Sequence, residues 1–254
     1  MSGYAALAAF YDRLTDDVEY DRRAARLLTL FERHRTRPTS LLDLACGTGS
    51  LTCRLADAGI DMIGVDGSAD MLAVAMERAA DRGQELLFLE QDMRELDLYG
   101  TVEGAVCILD GLCHLTNTAD IKETLHRLSL FIEPGGLLIF DVNTPYKHRE
   151  ILGDNSFVLE QEDFICVWRN RLIERTCEVE QVLDFFVEQE PDFYERLTDV
   201  VRERAYSTRT WERLLAESDF EVVAVYDDLS DNAPSPTTQR QLWVARNITK
   251  NYEN

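Results

Sequence analysis

The segment Leu41-Leu42-Asp43-Leu44-Ala45-Cys46-Gly47-Thr48-Gly49-Ser50-Leu51-Thr52 leaves few folds open to this chain. Leu41 to Ala45 is a short apolar run after Pro38-Thr39-Ser40, the form of a strand buried in a parallel sheet. Gly47 and Gly49 let the backbone turn sharply and come close to a ligand, which a Cβ would prevent. From Ser50 onward, Leu51, Leu55 and Ala58 fall on one helical face. A strand, a glycine turn and a helix N-terminus in succession build a nucleotide-sized site at the carboxyl edge of a sheet.

The dinucleotide fingerprint G-x-G-x-x-G does not fit, because it needs glycine at Thr52 and has no place for Asp43 inside the strand. A second strand, Asp61 to Asp66, ends in an acid followed by Gly67. A carboxylate there is where a Rossmann-like fold places its ribose acceptor, since two hydroxyls can donate to one carboxylate. Ser68 is an N-cap for the next helix, which carries Met71. A third strand, Leu86 to Leu89, is followed by Gln91-Asp92-Met93.

The Asp43-to-Gly49 pattern resembles motif I of class I S-adenosylmethionine-dependent methyltransferases, with Ala45 in place of the first glycine. That resemblance implies S-adenosyl-L-methionine as cofactor and S-adenosyl-L-homocysteine as product. The implied cofactor residues are Asp43, Ala45, Gly47, Gly49, Asp66, Gly67, Met71, Asp92, Met93 and Leu109. It sets Met71 and the Met93 backbone against the adenine ring and makes Asp92 the acceptor for the exocyclic amine. Phe10-Tyr11-Asp12, Leu14 and Asp17-Val18-Glu19-Tyr20-Asp21 resemble the leader of a bacterial branch, the YqeM-like methyltransferases. There the N-terminal helices fold over the cofactor, so Tyr11 and Tyr20 are expected at the methionine moiety or the substrate.

The rest of the chain fits one α/β fold: a Rossmann-like, mostly parallel seven-stranded sheet with helices on both faces and a small antiparallel β insert. Residues 1–37 read as a helical lid with Tyr4, Leu7, Phe10, Tyr11 and Leu14 at helical spacing. Residues 38–142 and 206–254 form the cofactor-binding core. Its fourth strand reads from Gly104 to Asp110, and its fifth from Leu137 to Val142 after a Pro-Gly-Gly turn. Residues 143–205 switch to alternating aromatic and β-branched stretches, the pattern of a small antiparallel sheet; the resemblance to YqeM-like relatives implies that it forms a lid over the active-site mouth.

Composition narrows the partners. With 26 basic against 47 acidic residues and net charge −21, the chain lacks the Lys/Arg clusters that hold phosphate backbones, so nucleic acid is disfavoured. A small molecule is the expected acceptor, a protein the next, and a monomer or homodimer the expected assembly. No apolar run approaches the ~20 residues of a membrane span, and Met1-Ser2-Gly3-Tyr4 does not open a signal peptide. The chain is therefore expected to be cytoplasmic, with its six cysteines reduced and mostly buried. No metal is expected: Cys107, Cys113 and His114 match no usual zinc spacing.

Methyl transfer is an in-line displacement that requires alignment and water exclusion more than any one residue. His114, after the fourth strand, is the candidate general base, because an unperturbed imidazole titrates near ~6.5. Asp110, Tyr146, Trp168, Arg169 and Arg204, together with Tyr4, are candidate substrate contacts. The insert's end has Val201 where YqeM-like relatives often carry histidine. Two other classes compete: a SAM-binding module without turnover, and a nicotinamide oxidoreductase.

Overall fold

A computed structural model describes residues 5–190 and 193–249. Helices α1 (Ala5–Leu14) and α2 (Tyr20–Arg33) lead, joined by a 3-10 turn at Asp16–Val18. The chain then alternates β1 (Ser40–Leu44), α3 (Ser50–Asp57), β2 (Asp61–Asp66), α4 (Ala69–Asp81), β3 (Leu87–Glu90), β4 (Val102–Cys107), α5 (Thr118–Phe131) and β5 (Ile132–Asn143). Four antiparallel strands follow: β6 (Ser156–Glu160), β7 (Phe164–Ile173), β8 (Glu178–Glu190) and β9 (Phe193–Arg204). Helix α6 (Thr208–Ala216) and the strands β10 (Phe220–Asp227) and β11 (Arg240–Asn247) return to the first sheet.

That sheet has the order β10-β11-β5-β4-β1-β2-β3, with β11 antiparallel to both neighbours and the other pairs parallel. The connections leave β1 toward β2 on one side and later toward β4 on the other, so the crevice outside their carboxyl ends is the switch point where such sheets bind ligands. The strands read as near-continuous apolar runs because helices cover both faces. On one face Phe140 of β5 sits 5.3 Å from Trp211 of α6 and 6.0 Å from Trp243 of β11. All three rings are fully buried, and this aromatic block fixes the antiparallel end of the sheet.

The second sheet, β6-β7-β8-β9, alternates cleanly. Phe164, Cys166, Leu183, Phe185 and Val201 point inward and are buried. Helix α1 covers that face: the Phe10 ring lies 4.6 Å from Phe164 and 5.0 Å from Phe185. The Leu7 amide donates to Asp199 Oδ2 at 2.6 Å, and Arg13 pairs with Asp163 at 2.6 Å. The lid helix and the inserted sheet thus share one apolar core. No helix of the described residues is long and apolar enough to cross a membrane.

One element differs from the sequence-based expectation in a way that matters for the site. Strand β4 ends at Cys107, not at Asp110. Leu109 and Asp110 both adopt left-handed backbone, with φ of 63° and 67°. Their amides leave the ladder and donate to the buried Asp141 carboxylate, at 3.1 and 2.8 Å. Two successive left-handed residues cost about 1–3 kcal/mol each, and that carboxylate with its two charge-assisted hydrogen bonds offsets it.

Candidate functional site

Two cavities meet at the carboxyl edge of the first sheet. The larger, about 560 Å³, is walled by Ala45, Gly47, Asp66, Gly67, Ser68, Met71, Gln91, Asp92, Met93, Leu109 and His114 among others. The other, about 440 Å³, lies beneath the four-stranded sheet and is lined by Leu7, Leu14, Asp110, Lys147, Leu159, Trp168, Leu183, Val201, Glu203 and Arg240 among others. Tyr11, Leu109 and His114 line both. A small pocket between Tyr11 and Tyr20 reaches down to Asp43 and Ala45.

The loop after β1 explains the first cavity. Gly47 has φ 54°, and a Cβ built there meets nothing within 4 Å, so its backbone faces open space in the cavity wall. Its amide donates to Asp66 Oδ2 at 2.8 Å, while the Ser68 amide donates to Oδ1 at 2.9 Å. Burial pushes the Asp66 carboxyl up, and these two amides pull it back. Each oxygen keeps acceptor capacity for hydroxyl donors. Ala45 holds φ 57°, the left-handed backbone that a glycine would adopt freely. Gly49 lines neither cavity; a Cβ there would lie 2.9 Å from Ala75 Cβ, so its glycine requirement comes from the packing of α4.

The remaining candidates divide. Met71 is buried and Met93 half-buried in the cavity wall, two soft apolar groups beside the Asp66 carboxylate. Asp92 lines the same cavity, yet its carboxylate caps the following turn and pairs with Arg94, which holds it below the usual carboxylate range. Arg94 donates twice to Oδ1 and once to Oδ2, so Oδ2 keeps acceptor capacity. Asp43 is buried at the floor of the small pocket and accepts from Thr52 Oγ1 at 2.6 Å. Burial pushes its carboxyl up to about 7. Tyr20 lies in that pocket, with burial raising its phenol.

Of the candidate substrate contacts, Asp110 and Trp168 line the second cavity. Arg169 and Arg204 do not, because side chains alternate along a strand. If Trp168 faces inward, Arg169 must face outward, where it pairs with Asp184 at 2.5 Å. Arg204 shares the outer parity of Arg202, and its Nη1 donates to the Thr116 carbonyl at 2.8 Å. Tyr146 lines neither cavity, and Tyr4 lies outside the described residues.

Three charged groups of that chamber, Lys147, Glu203 and Arg240, are not among the residues the sequence singles out. Arg240 forks onto Asp110 at 2.5 and 2.8 Å and also reaches Asp141 at 2.7 Å. Glu203 accepts from Asn143 Nδ2 at 2.9 Å, and Lys147 Nζ donates to Asn143 Oδ1 at 2.8 Å. Two-residue periodicity from Val201 points to Glu203. Nothing local marks Arg240, which enters through the pairing of β11 with Asn143 at the end of β5.

Comparison with known proteins adds an independent line. Residues 41–136 match a family model described as a methyltransferase domain. The chain is 31% identical to YqeM of Bacillus subtilis (strain 168) over 96% of both proteins; YqeM's own assignment as a methyltransferase is provisional. It is 36% identical, over 52% of this chain and 51% of the relative, to a glycine/sarcosine N-methyltransferase of Halorhodospira halochloris. A crystal structure of an S-adenosylmethionine-dependent methyltransferase from Clostridium acetobutylicum ATCC 824 superposes with TM-score 0.87 and 27% identity, covering 96% of this chain and 98% of that one.

Proposed function

The chain belongs to the S-adenosylmethionine-dependent methyltransferases, in the YqeM-like branch, and from that premise we propose that it methylates an oxygen or nitrogen of a small molecule lodged beneath the four-stranded sheet. One observation carries this reading. The cavity with the ribose-type carboxylate and the chamber under the insert share Tyr11, Leu109 and His114 as a common wall. A methyl group passing between two bound molecules needs such a contact, shielded from water and about 3 Å across.

The residues fit the cofactor. A volume of about 560 Å³ suits a ligand of that size, and its wall runs from methionine side chains to a carboxylate to an open glycine backbone. When bound, S-adenosylmethionine supplies a methyl carbon already activated by its sulfonium. Asp66 would hold the ribose hydroxyls, Met71 and Met93 the ring, and the backbone at Gly47 and Leu109 the polar end. Tyr11 closes the wall against solvent. His114, on the shared wall, is placed to accept a proton from the acceptor at an imidazole nitrogen. The relative named for glycine and sarcosine, matched over about half of each chain, supports an acceptor of small size.

The test is calorimetric titration with S-adenosylmethionine, S-adenosylhomocysteine and NADH in parallel, followed by S-adenosylhomocysteine release with a panel of small amines and alcohols. Micromolar binding of the first two and turnover with at least one acceptor is the expected result. Binding of NADH alone, or protein-only acceptors, would remove the proposal.

A further inference from the structure

The chamber beneath the four-stranded sheet holds two buried carboxylates that are partnered very differently. Asp110 is clamped by both terminal nitrogens of Arg240, at 2.5 and 2.8 Å. Glu203, 7% exposed, has no such clamp. Its Oε2 takes one hydrogen bond from the neutral Asn143 amide, at 2.9 Å, and no hydrogen bond reaches Oε1 among the described residues.

Lys147 and His148 both lie near Glu203 without a hydrogen bond to its carboxylate. Lys147 Nζ is bound to the far side of the same Asn143 amide, 2.8 Å from Oδ1. His148 Nδ1 lies 3.0 Å from the Cys177 carbonyl, and its Nε2 stops 3.8 Å from Glu203 Oε2, beyond hydrogen-bond length. A buried carboxylate keeps its charge only if it is paired or hydrogen-bonded. Burial pushes Glu203 up, but His148, His114 and Lys147 together hold it down, to about 2. A charged oxygen with spare acceptor capacity therefore lines the cavity, while the walls around it include Leu159, Trp168, Leu183 and Val201.

We propose that Glu203 is the anchor for a protonated amine, so that the chamber selects small amines with an apolar body over neutral molecules of the same shape. This rests on reading the chamber as the acceptor site. The ligand class follows from the contacts: one donor-rich cation for the free carboxylate oxygen, and aliphatic or alicyclic carbon for the surrounding wall. Asp110 is already charge-paired by the Arg240 fork, which leaves Glu203 as the carboxylate for a further cation.

The experiment compares cyclohexylamine with cyclohexanol, titrated into the full chain at pH 7.5 with and without saturating S-adenosylhomocysteine. Heat is the primary readout. Trp168 fluorescence localises the event, with Trp168→Phe as its control. The amine is expected to bind at least ~10-fold tighter than the alcohol, the scale of one charge-assisted hydrogen bond. Glu203→Gln keeps an acceptor for Asn143 and should bring that ratio close to one. Lys147→Gln removes a competing cation and should tighten the amine roughly threefold without affecting the alcohol. Equal binding of amine and alcohol, or a preference that survives Glu203→Gln, overturns the proposal. S-adenosylhomocysteine titrated into the same samples separates the two readings: normal binding without amine preference removes only the anchor, whereas no binding removes the methyltransferase site itself.

Discussion

The two halves of the site are held by different forces. Apart from Tyr11, the cofactor cavity takes its walls from Ala45 to Asp120, the loops that follow β1 to β4 in order. Its key carboxylate, Asp66, is held by two backbone amides of neighbouring loops. The acceptor chamber takes its walls from Leu7 to Arg240, and its carboxylates and cations meet across spans such as the 130 positions between Asp110 and Arg240. The first half is positioned by the backbone of one sheet, the second by side-chain charges that meet only when every element is assembled. Chemistry common to a superfamily can sit on the first kind of support; chemistry peculiar to one acceptor can be rewritten on the second.

The largest test of that contrast is Arg240→Met. It strips Asp110 of its guanidinium clamp and leaves Asp141 with two backbone amides and the more distant Arg23, 3.7 Å away; breaking such a buried cluster costs about 3–5 kcal/mol. Urea unfolding should show that loss; a change below ~1 kcal/mol would mean that the chamber does not depend on the ion pairs. Next comes Asp66→Ala. Removing a charged acceptor for two hydroxyls should weaken S-adenosylmethionine binding by roughly 100-fold, with an unfolding midpoint near the parent's. Near-native affinity would dissociate Asp66 from the ribose.

The same contrast governs how much could be read from the sequence. The strand-loop-helix at Leu41 to Thr52, the acid after β2 and the pair Asp92-Met93 are local patterns, and local patterns show in a string of residues. The antiparallel insert shows too, because alternation is local. What did not show was facing and pairing. Trp168 and Arg169 were both read as inward, though adjacent strand residues must point to opposite faces. Asp92 lines the cavity as expected, and its pairing with Arg94, two residues on, is an addition that only the folded loop shows. Arg240 carries no local mark, since its role depends on β11 lying antiparallel to β5. Gly49 was read as ligand-facing, while the structure gives it a packing reason.

A smaller effect distinguishes the buried carboxylates themselves. Asp141 has a guanidinium at 2.7 Å, whereas Asp43 has, among the described residues, only the Thr52 hydroxyl and feels the repulsion of Asp66. Burial raises the Asp43 carboxyl from 3.8 to about 7 in the folded chain. Below the unfolded value both states are protonated and nothing is lost. As pH rises from about 4 to about 7, the unfolded chain ionises while the folded one resists, so stability falls across that window and then levels. Full linkage at ~1.36 kcal/mol per unit is an upper limit, and about 2 kcal/mol is expected after local relaxation. Asp43→Asn should match the parent near pH 4 and exceed it at pH 8 in thermal unfolding. Parallel curves for the two proteins would show that Asp43 ionises normally.

The smallest effect concerns the helix that joins both halves. On the insert side α1 plugs Phe10 into the sheet and anchors the Leu7 amide on Asp199. On the cofactor side Asp12 accepts from Thr48 Oγ1 at 2.7 Å and Ser50 Oγ at 3.2 Å and pairs with Arg78. Tyr11, the neighbouring residue, lines both cavities, so α1 contributes a wall to each. Asp12 is partly exposed, and its latch is worth about 1 kcal/mol after solvent screening. Asp12→Asn should therefore speed S-adenosylhomocysteine dissociation roughly fivefold in stopped-flow measurements, with little change in unfolding. The increase should be larger at low salt in the parent-to-variant ratio, because screening already weakens the parent's ion pair at high salt. An unchanged dissociation rate would mean that α1 belongs to the insert alone, and that the two halves of the site open independently.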